Sequence, residues 1–198
     1  MAKGDKKQET RQRIIDAAGR SFRSNGYAGI GVDGIAKAAG VTSGAFYAHL
    51  GSKNGAFDAA IKAGLDEVIE AIPIFQQENG GQWIKAFTNY YLGKAHRNDL
   101  ECGCAMTSLS PEVVRTNAAL QVIYEEKMLQ IISLMADGFE IGSKSERVSR
   151  AWSVLAILIG GLTMARAVNS EKISNKIAKS IGNTAISVAG EISSKFAD

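Results

Sequence analysis

The most reactive side chains in this sequence of 198 residues belong to two cysteines, Cys102 and Cys104, separated by one glycine. A thiol can attack an electrophile, become oxidised or bind a metal ion. A zinc site needs three or four ligands, and only His49 and His96 could add imidazoles. We therefore expect no metal and no cofactor. Two interpretations stay open for the cysteines: sensing thiols, or small residues that fill the interior.

A second group of polar side chains follows Gly40. The pattern predicts two short helices, Val32 to Ala39 and Ser43 to Leu50, with a tight turn between them. This is the layout of a helix-turn-helix, whose second helix can enter a DNA major groove about 12 Å wide. Phe46 and Leu50 are predicted to face the core. The outward residues, suited to contacts with phosphates and bases, are then Thr42, Ser43, Ala45, Tyr47 and His49. A helical hairpin without a ligand is the alternative.

The charge is unevenly distributed along the chain. Residues 1–64 contain ten Lys and Arg against five acidic residues, whereas the remaining 134 residues contain 13 basic and 15 acidic groups. We call residues 1–64 the basic head. Its positive charge includes a basic segment from Lys3 to Arg13 and Lys53 at the start of the fourth helix. Lysine beside a helix N-terminus suits phosphate binding. The distribution favours a module that binds a polyanion, although a solvated basic surface would look the same.

Hydrophobic spacing predicts an all-α fold of about nine helices, with an N-terminal three-helix domain over residues 1–52 and a C-terminal helical domain over residues 53–198. Pro73 is expected to kink or end the fourth helix. Ser110-Pro111-Glu112 predicts a helix start, and Ser143 to Glu146 has the spacing of a capping box. The predicted helical segments are 9–24, 32–39, 43–50, 52–72, 83–98, 111–135, 148–168 and 170–196, and a pause near residues 116–117 divides 111–135 into two helices.

Residues 11–65 resemble the DNA-binding domain of TetR/AcrR-type repressors. The resemblance rests on the run IIDAAGRSFRSNGYAGIGVDGIAKAAGVTSGAFYAHLGSKNGAF, in which the NGY helix end, the VDGIAKAAGV segment, the GAFYAHL helix and the following SK occur in order. It implies that Thr42, Ser43 and Ala45 approach bases and that Tyr47, His49 and Lys53 hold phosphates. Two positions depart from the family pattern: Ile30-Gly31 replaces a frequent Thr-Ser pair, and Asn54-Gly55 replaces two acids. We expect the second helix to survive because glycine is an acceptable N-cap.

The resemblance also implies that the rest of the chain binds an inducer and forms a homodimer through its last two helices. Two recognition helices could then lie about 34 to 36 Å apart on a palindromic operator in double-stranded DNA. A pocket for an unknown small-molecule inducer would be lined by aromatic and methionine side chains, with His96 or a Tyr hydroxyl as polar anchor. Ordinary core packing is the alternative, because it places such residues at the same helical spacing. These residues are Trp83, Phe87, Tyr90, Tyr91, His96, Met106, Tyr124, Met128 and Trp152.

The segment ECGCAMTSLSPEVVR resembles a Gly-Cys loop of family members that respond to electrophiles or oxidants. This resemblance implies that Cys102 and Cys104 sense such compounds. A thiol near Arg97, or at a helix start near residue 104, could have enough thiolate character to react.

Other classes of protein fit the sequence less well. No Ser/His/acid arrangement or phosphate-binding glycine loop supports an enzyme. A helical dimeric scaffold, or a small-molecule binding protein that does not bind DNA, is the main alternative. The charged N-terminus predicts a cytoplasmic protein, and the apolar run 151–165 is shorter than the roughly 20 residues of a membrane span, so we expect a buried helix and no membrane.

Overall fold

The computed structural model describes residues 3–190, and this part of the chain is built from α-helices and one 3₁₀ turn at Gly80–Gln82. The predicted all-α class is confirmed. The predicted end of the last helix, residues 191–196, lies outside the described residues. The helices are α1 Lys3–Asn25, α2 Val32–Ala38, α3 Ser43–Leu50, α4 Lys53–Asn79, α5 Trp83–Tyr91, α6 Lys94–Asn98, α7 Ala105–Val113, α8 Ala118–Asp137, α9 Lys144–Ala167 and α10 Glu171–Ala189.

The helices form two compact units. Within the described residues, unit 1 comprises 3–66 and 100–125, and unit 2 comprises 67–99 and 126–190. Each unit therefore combines two separate stretches of sequence. The expected functional division after residue 52 stays a prediction, because packing units need not coincide with functional segments.

Unit 1 has an aromatic core beneath its first four helices. Phe22 is fully buried, and its ring meets Phe57 edge to face at 5.2 Å and stacks on Tyr27 at 5.8 Å. Helix α1 begins earlier than predicted, and the basic segment Lys3 to Arg13 forms its first turns. The exposed side chains on this part of α1 include Lys6, Lys7, Arg11 and Arg13. These positive charges are therefore held at fixed positions along α1.

Unit 2 is held together by the close packing of α9 and α10. A methyl group added to Gly161 would lie only 2.3 Å from Ile181 Cγ2, so glycine is what permits this approach. Trp83 is buried and donates its indole N–H to the Gly138 carbonyl at 2.8 Å. The predicted capping box is confirmed: Ser143 accepts from the Glu146 amide, and Glu146 accepts from the Ser143 amide.

Several other predicted helix boundaries are also wrong. Helix α4 continues past Pro73 to Asn79, and the predicted fifth helix is divided into α5 and α6 at Gly93. A side chain at Gly93 would lie 2.8 Å from the Asn89 carbonyl oxygen, so the bend there requires glycine. Helix α7 begins at Ala105, not at Pro111. Pro111 is tolerated because it deletes only one backbone hydrogen bond near the end of that helix.

Among the described residues, one helix passes a length and composition test for a membrane span. It is α9, whose most apolar window has a mean hydropathy of 1.5 and is 39% buried. The predicted apolar run 151–165 lies inside this helix, which has 24 residues. The test is weak evidence, because core helices of globular proteins also meet it. In unit 2, Val154, Leu155, Leu158 and Leu162 of α9 are buried.

Candidate nucleic-acid interface

The turn between α2 and α3 is built on Gly40. Its φ of +65° lies in the left-handed region, which is strained for residues with a side chain. The Gly40 amide donates to the Lys37 carbonyl and the Val41 amide donates to the Ala36 carbonyl, which closes α2 with a Schellman pattern. Gly31 caps the start of α2 without a side-chain hydrogen bond, as expected. The result is a tight helix-turn-helix within unit 1.

Two hydroxyl groups stand at the start of α3. Thr42 is exposed, and its Oγ1 accepts a hydrogen bond from the Ala45 amide at 3.2 Å. Ser43 donates its hydroxyl to the Asp33 carboxylate at 2.6 Å. Asp33 was not predicted as a site residue, and nothing in its spacing indicated that it would reach α3. It holds the Ser43 side chain in one orientation and adds a negative charge beside the N-terminus of α3.

Further along α3, the side chains differ strongly in exposure. Tyr47 is 52% exposed, whereas its neighbour Phe46 is fully buried. Leu50 is only half-buried, so Phe46 carries most of the packing. His49 is also half-buried, and its Nδ1 is a buried atom that has no hydrogen-bond partner among residues 3–190. The outward face thus has its most prominent side chain at Tyr47.

Lys53 is fixed in place by residues that sequence reasoning did not assign to the site. Its ammonium group lies 4.4 Å from the centre of the Tyr27 ring, a cation–π contact. Tyr27 donates its hydroxyl to the Asn54 side chain. Ser52 caps α4 by accepting from the Gly55 amide at 3.0 Å, so one half of the capping interaction survives without an acid at residue 55. Asn54 therefore positions Tyr27, and Tyr27 supports the lysine.

The aromatic residues predicted to line an inducer pocket are mostly core in unit 2. Trp83, Phe87, Tyr91 and Met128 are buried, whereas Tyr90 is 59% and Trp152 41% exposed. His96 lies between two tyrosine rings, stacked on Tyr90 and edge-on to Tyr91. Burial, with the Arg166 charge nearby, lowers the pKa of His96, so its neutral form is favoured.

Two further residues of the predicted pocket, Met106 and Tyr124, belong to unit 1. Ser110 bridges them, because its Oγ lies 2.5 Å from the Met106 carbonyl oxygen and 2.6 Å from the Tyr124 hydroxyl. Burial raises the pKa of Tyr124, which therefore remains a neutral phenol. The nine predicted residues are thus divided between the two units.

The cysteines lie beside the start of α7 in unit 1. Both are thiols rather than a disulfide; Cys102 is exposed and Cys104 is half-buried. Cys104 is the N-cap residue of α7, without a side-chain capping bond. Next to this pair, the Glu101 carbonyl accepts a hydrogen bond from Arg23 Nε on α1 at 2.6 Å. Over the described residues, no group of three or more His, Cys, Asp or Glu is arranged to hold a metal ion.

Comparisons with known proteins agree with this geometry. Residues 14–60 match the family model of bacterial regulatory proteins, tetR family. The chain is 50% identical over 50 residues to the HTH-type transcriptional regulator AcrR of Shigella flexneri, and 34% identical over 80 residues to the HTH-type transcriptional repressor AcnR of Corynebacterium glutamicum. These matches cover 25% and 40% of this chain and only 23% and 40% of the two relatives.

Solved structures resemble the chain over nearly its whole length. A TetR family transcriptional regulator from Cytophaga hutchinsonii superposes with a TM-score of 0.77, covering 96% of this chain and 98% of its own at 20% identity. The reduced form of E. coli NemR gives a TM-score of 0.73, covering 88% and 96% at 18% identity. At these identities the likeness shows the fold alone.

Fold and site together define an all-helical protein with an N-terminal helix-turn-helix. The matched segment contains α2, α3 and the start of α4, which are the elements that form the exposed face described above. Residues 14–60 match the tetR family of bacterial regulatory proteins, and the chain has the fold of solved TetR family regulators.

Proposed function

We propose that the protein is a cytoplasmic, non-enzymatic transcriptional repressor that binds a palindromic operator as a homodimer. The observation that carries this proposal is the exposed face of α3, with Tyr47 projecting outward and Lys53 held at the start of α4. In this role Thr42, Ser43 and Ala45 approach bases, while Tyr47, His49 and Lys53 contact phosphates. The exposed basic side chains of α1 strengthen the attraction of the head for a polyanion.

The homodimer is proposed to form through α9 and α10. Both helices carry large apolar side chains that remain exposed in a single chain: Trp152 and Met164 on α9, and Ile173 and Val188 on α10. Exposed apolar residues of this size are typical of surfaces that a partner covers. Trp152 is therefore better explained as an interface residue than as part of an inducer pocket. No membrane contact forms part of this proposal.

Operator binding is tested by selecting genomic fragments with the full-length protein and titrating a selected duplex by fluorescence anisotropy. We expect two protomers per duplex and an affinity that falls by about 10³-fold or more between 50 and 200 mM salt if six or more phosphates are contacted. Binding with no sequence preference and little salt dependence would contradict the proposal. It would favour the helical scaffold instead.

Release from the operator is proposed to follow occupation by a small-molecule inducer or modification of a cysteine. Support for the second route comes from unit 1, where α7 and the Glu101 carbonyl both contact α1. Helix α1 in turn packs on α2 and α3. A group added to Cys102 or Cys104 would disturb the segment that Arg23 holds, and the displacement could reach the DNA-binding face through α1.

Cysteine modification is tested with the variant Cys104→Ser. A quinone would add to the Cys104 thiolate, forming a sulfur–carbon bond while the thiol proton ends on the resulting hydroquinone. We expect this treatment, or oxidation by hypochlorite, to release wild-type protein from a labelled operator and to leave Cys104→Ser largely bound. The matched control is Cys102→Ser, which tests the neighbouring thiol. Equal release of wild type and both single variants, and of the double variant, would refute a thiol sensor.

A further inference from the structure

Unit 2 contains a cleft that none of the functions above uses. It lies between α5 and α6 on one side and α10 on the other, and its volume is about 350 Å³. Its lining includes Thr88, Arg97, Asn175, Lys179 and Ile186. A space of this size accommodates a ligand of about ten non-hydrogen atoms, given that one water occupies roughly 30 Å³ in the liquid.

Two buried polar atoms belong to residues that line this cleft. Thr88 is only 1% exposed, and its Oγ1 has no hydrogen-bond partner in the described part of the chain. Arg97 is 9% exposed, and its Nε is likewise unpartnered there. An unpaired buried polar group destabilises a fold, so its presence requires a physical reason. A ligand that supplies the missing partners is such a reason.

The charge of the cleft is positive. Lys94, Arg97 and Lys179 line it, and the acid at its edge, Glu171, is already paired with Lys94 at 2.7 Å. That pairing lowers the pKa of Glu171 and keeps it ionised. The remaining charge comes from Arg97 and Lys179, which favours an anionic ligand.

Arg97 is held in a fixed orientation before any ligand binds. Its Nη1 donates to the Ser174 carbonyl at 3.0 Å, and its Nη2 donates to the Asn175 side chain at 2.5 Å. A guanidinium group has five N–H donors, so Nε and other hydrogens remain available. Preorganisation of this kind reduces the entropy that binding costs.

The rest of the cleft is open and mixed, with the polar side chains of Asn89 and Asn183 beside an apolar part. Leu92, Ala178, Gly182 and Ile186 contribute to its lining. Gly182 lies in the interior of α10, where alanine would be a better helix former. A Cβ at this position would lie 3.3 Å from Thr88 Cγ2, so glycine leaves room in front of the threonine. A hydrocarbon group fits against this surface.

We propose that this cleft binds a small organic carboxylate. Its oxygens accept hydrogen bonds from the Thr88 hydroxyl and Arg97, with Lys179 providing a further positive charge. Its hydrocarbon part lies against Leu92 and Ile186. This proposal concerns binding alone and stands apart from operator recognition.

The test is isothermal titration calorimetry of the full-length protein with sodium butyrate and sodium benzoate, at constant ionic strength and without DNA. Butylamine hydrochloride and inorganic phosphate serve as comparison ligands. We expect saturable binding of a carboxylate, no binding of the amine, and weaker or no binding of phosphate. Binding of butylamine or phosphate as tightly as the carboxylates would overturn the assigned ligand class, and no carboxylate binding would overturn the site.

Two variants locate the site. Thr88→Val keeps the shape of the side chain and removes the hydroxyl, and Lys179→Gln removes an exposed charge from the rim; each should weaken carboxylate binding by about tenfold or more. Lys176→Gln is the matched control, because Lys176 is exposed on α10 and does not line the cleft. Without ligand, Thr88→Val should unfold at the same or a higher temperature, because it removes an unpaired buried hydroxyl. Unchanged binding in Thr88→Val and Lys179→Gln would overturn the proposal, whatever the outcome of the operator experiments.

Discussion

Lys53→Ala is expected to weaken operator binding by about 100-fold for the dimer, because a charge-assisted phosphate contact is lost from each of two protomers. Tyr47→Ala should have a smaller effect in the same direction, since a neutral hydroxyl contributes less than an ammonium group. The measurement is anisotropy titration of a selected operator at several salt concentrations. Lys53→Ala should also lower the salt dependence by about one phosphate contact for each protomer.

Matched variants separate a phosphate contact from a general effect of charge. Lys172 is exposed on α10, so Lys172→Ala changes the net charge equally and should leave affinity unchanged. Tyr27→Phe keeps the ring beneath Lys53 and removes only the hydroxyl that donates to Asn54. It should retain most of the affinity. If Lys53→Ala and Tyr47→Ala both bind like wild type, the face assigned here is not the DNA-binding face.

Phe46→Ala is expected to lower the free energy of unfolding by about 3 to 5 kcal/mol, the usual cost of truncating a buried phenylalanine. Phe46 is fully buried in unit 1 and is the main residue by which α3 packs on the other helices. Its loss should therefore also abolish operator binding under conditions where the wild type binds. Urea unfolding followed by far-UV circular dichroism measures the stability.

The adjacent residue provides the control for this prediction. Tyr47 is 52% exposed, and its ring meets Phe46 edge to face at 5.6 Å. Tyr47→Ala should cost only about 0.5 to 1.5 kcal/mol, the value of such an aromatic pair. If both substitutions destabilised the protein equally, the division of α3 into a buried and an exposed face would be wrong.

Helix identity could be predicted in most places because the signals are local. Helix α3 was predicted with its observed bounds, and the Ser143 capping box was predicted from a four-residue spacing. The start of α7 was predicted wrongly at Pro111 because a contact between residues distant in sequence outweighs the local signal there. Ser110 has the sequence context of an N-cap, but its hydroxyl instead contacts the Met106 carbonyl and Tyr124, which is 14 residues away.

The sequence by itself determined the all-helical class, the helix-turn-helix and the difference between a buried Phe46 and an exposed Tyr47 on α3, since spacing of three or four residues and a glycine at a turn fix these features locally. Tertiary structure alone decided that Tyr27 lies beneath Lys53, that Asp33 accepts from Ser43, and that α5, α6 and α10 enclose a positive cleft. These contacts join residues 10 to about 100 positions apart in the chain. Such distances are set by how helices pack, and helical periodicity carries no information about them.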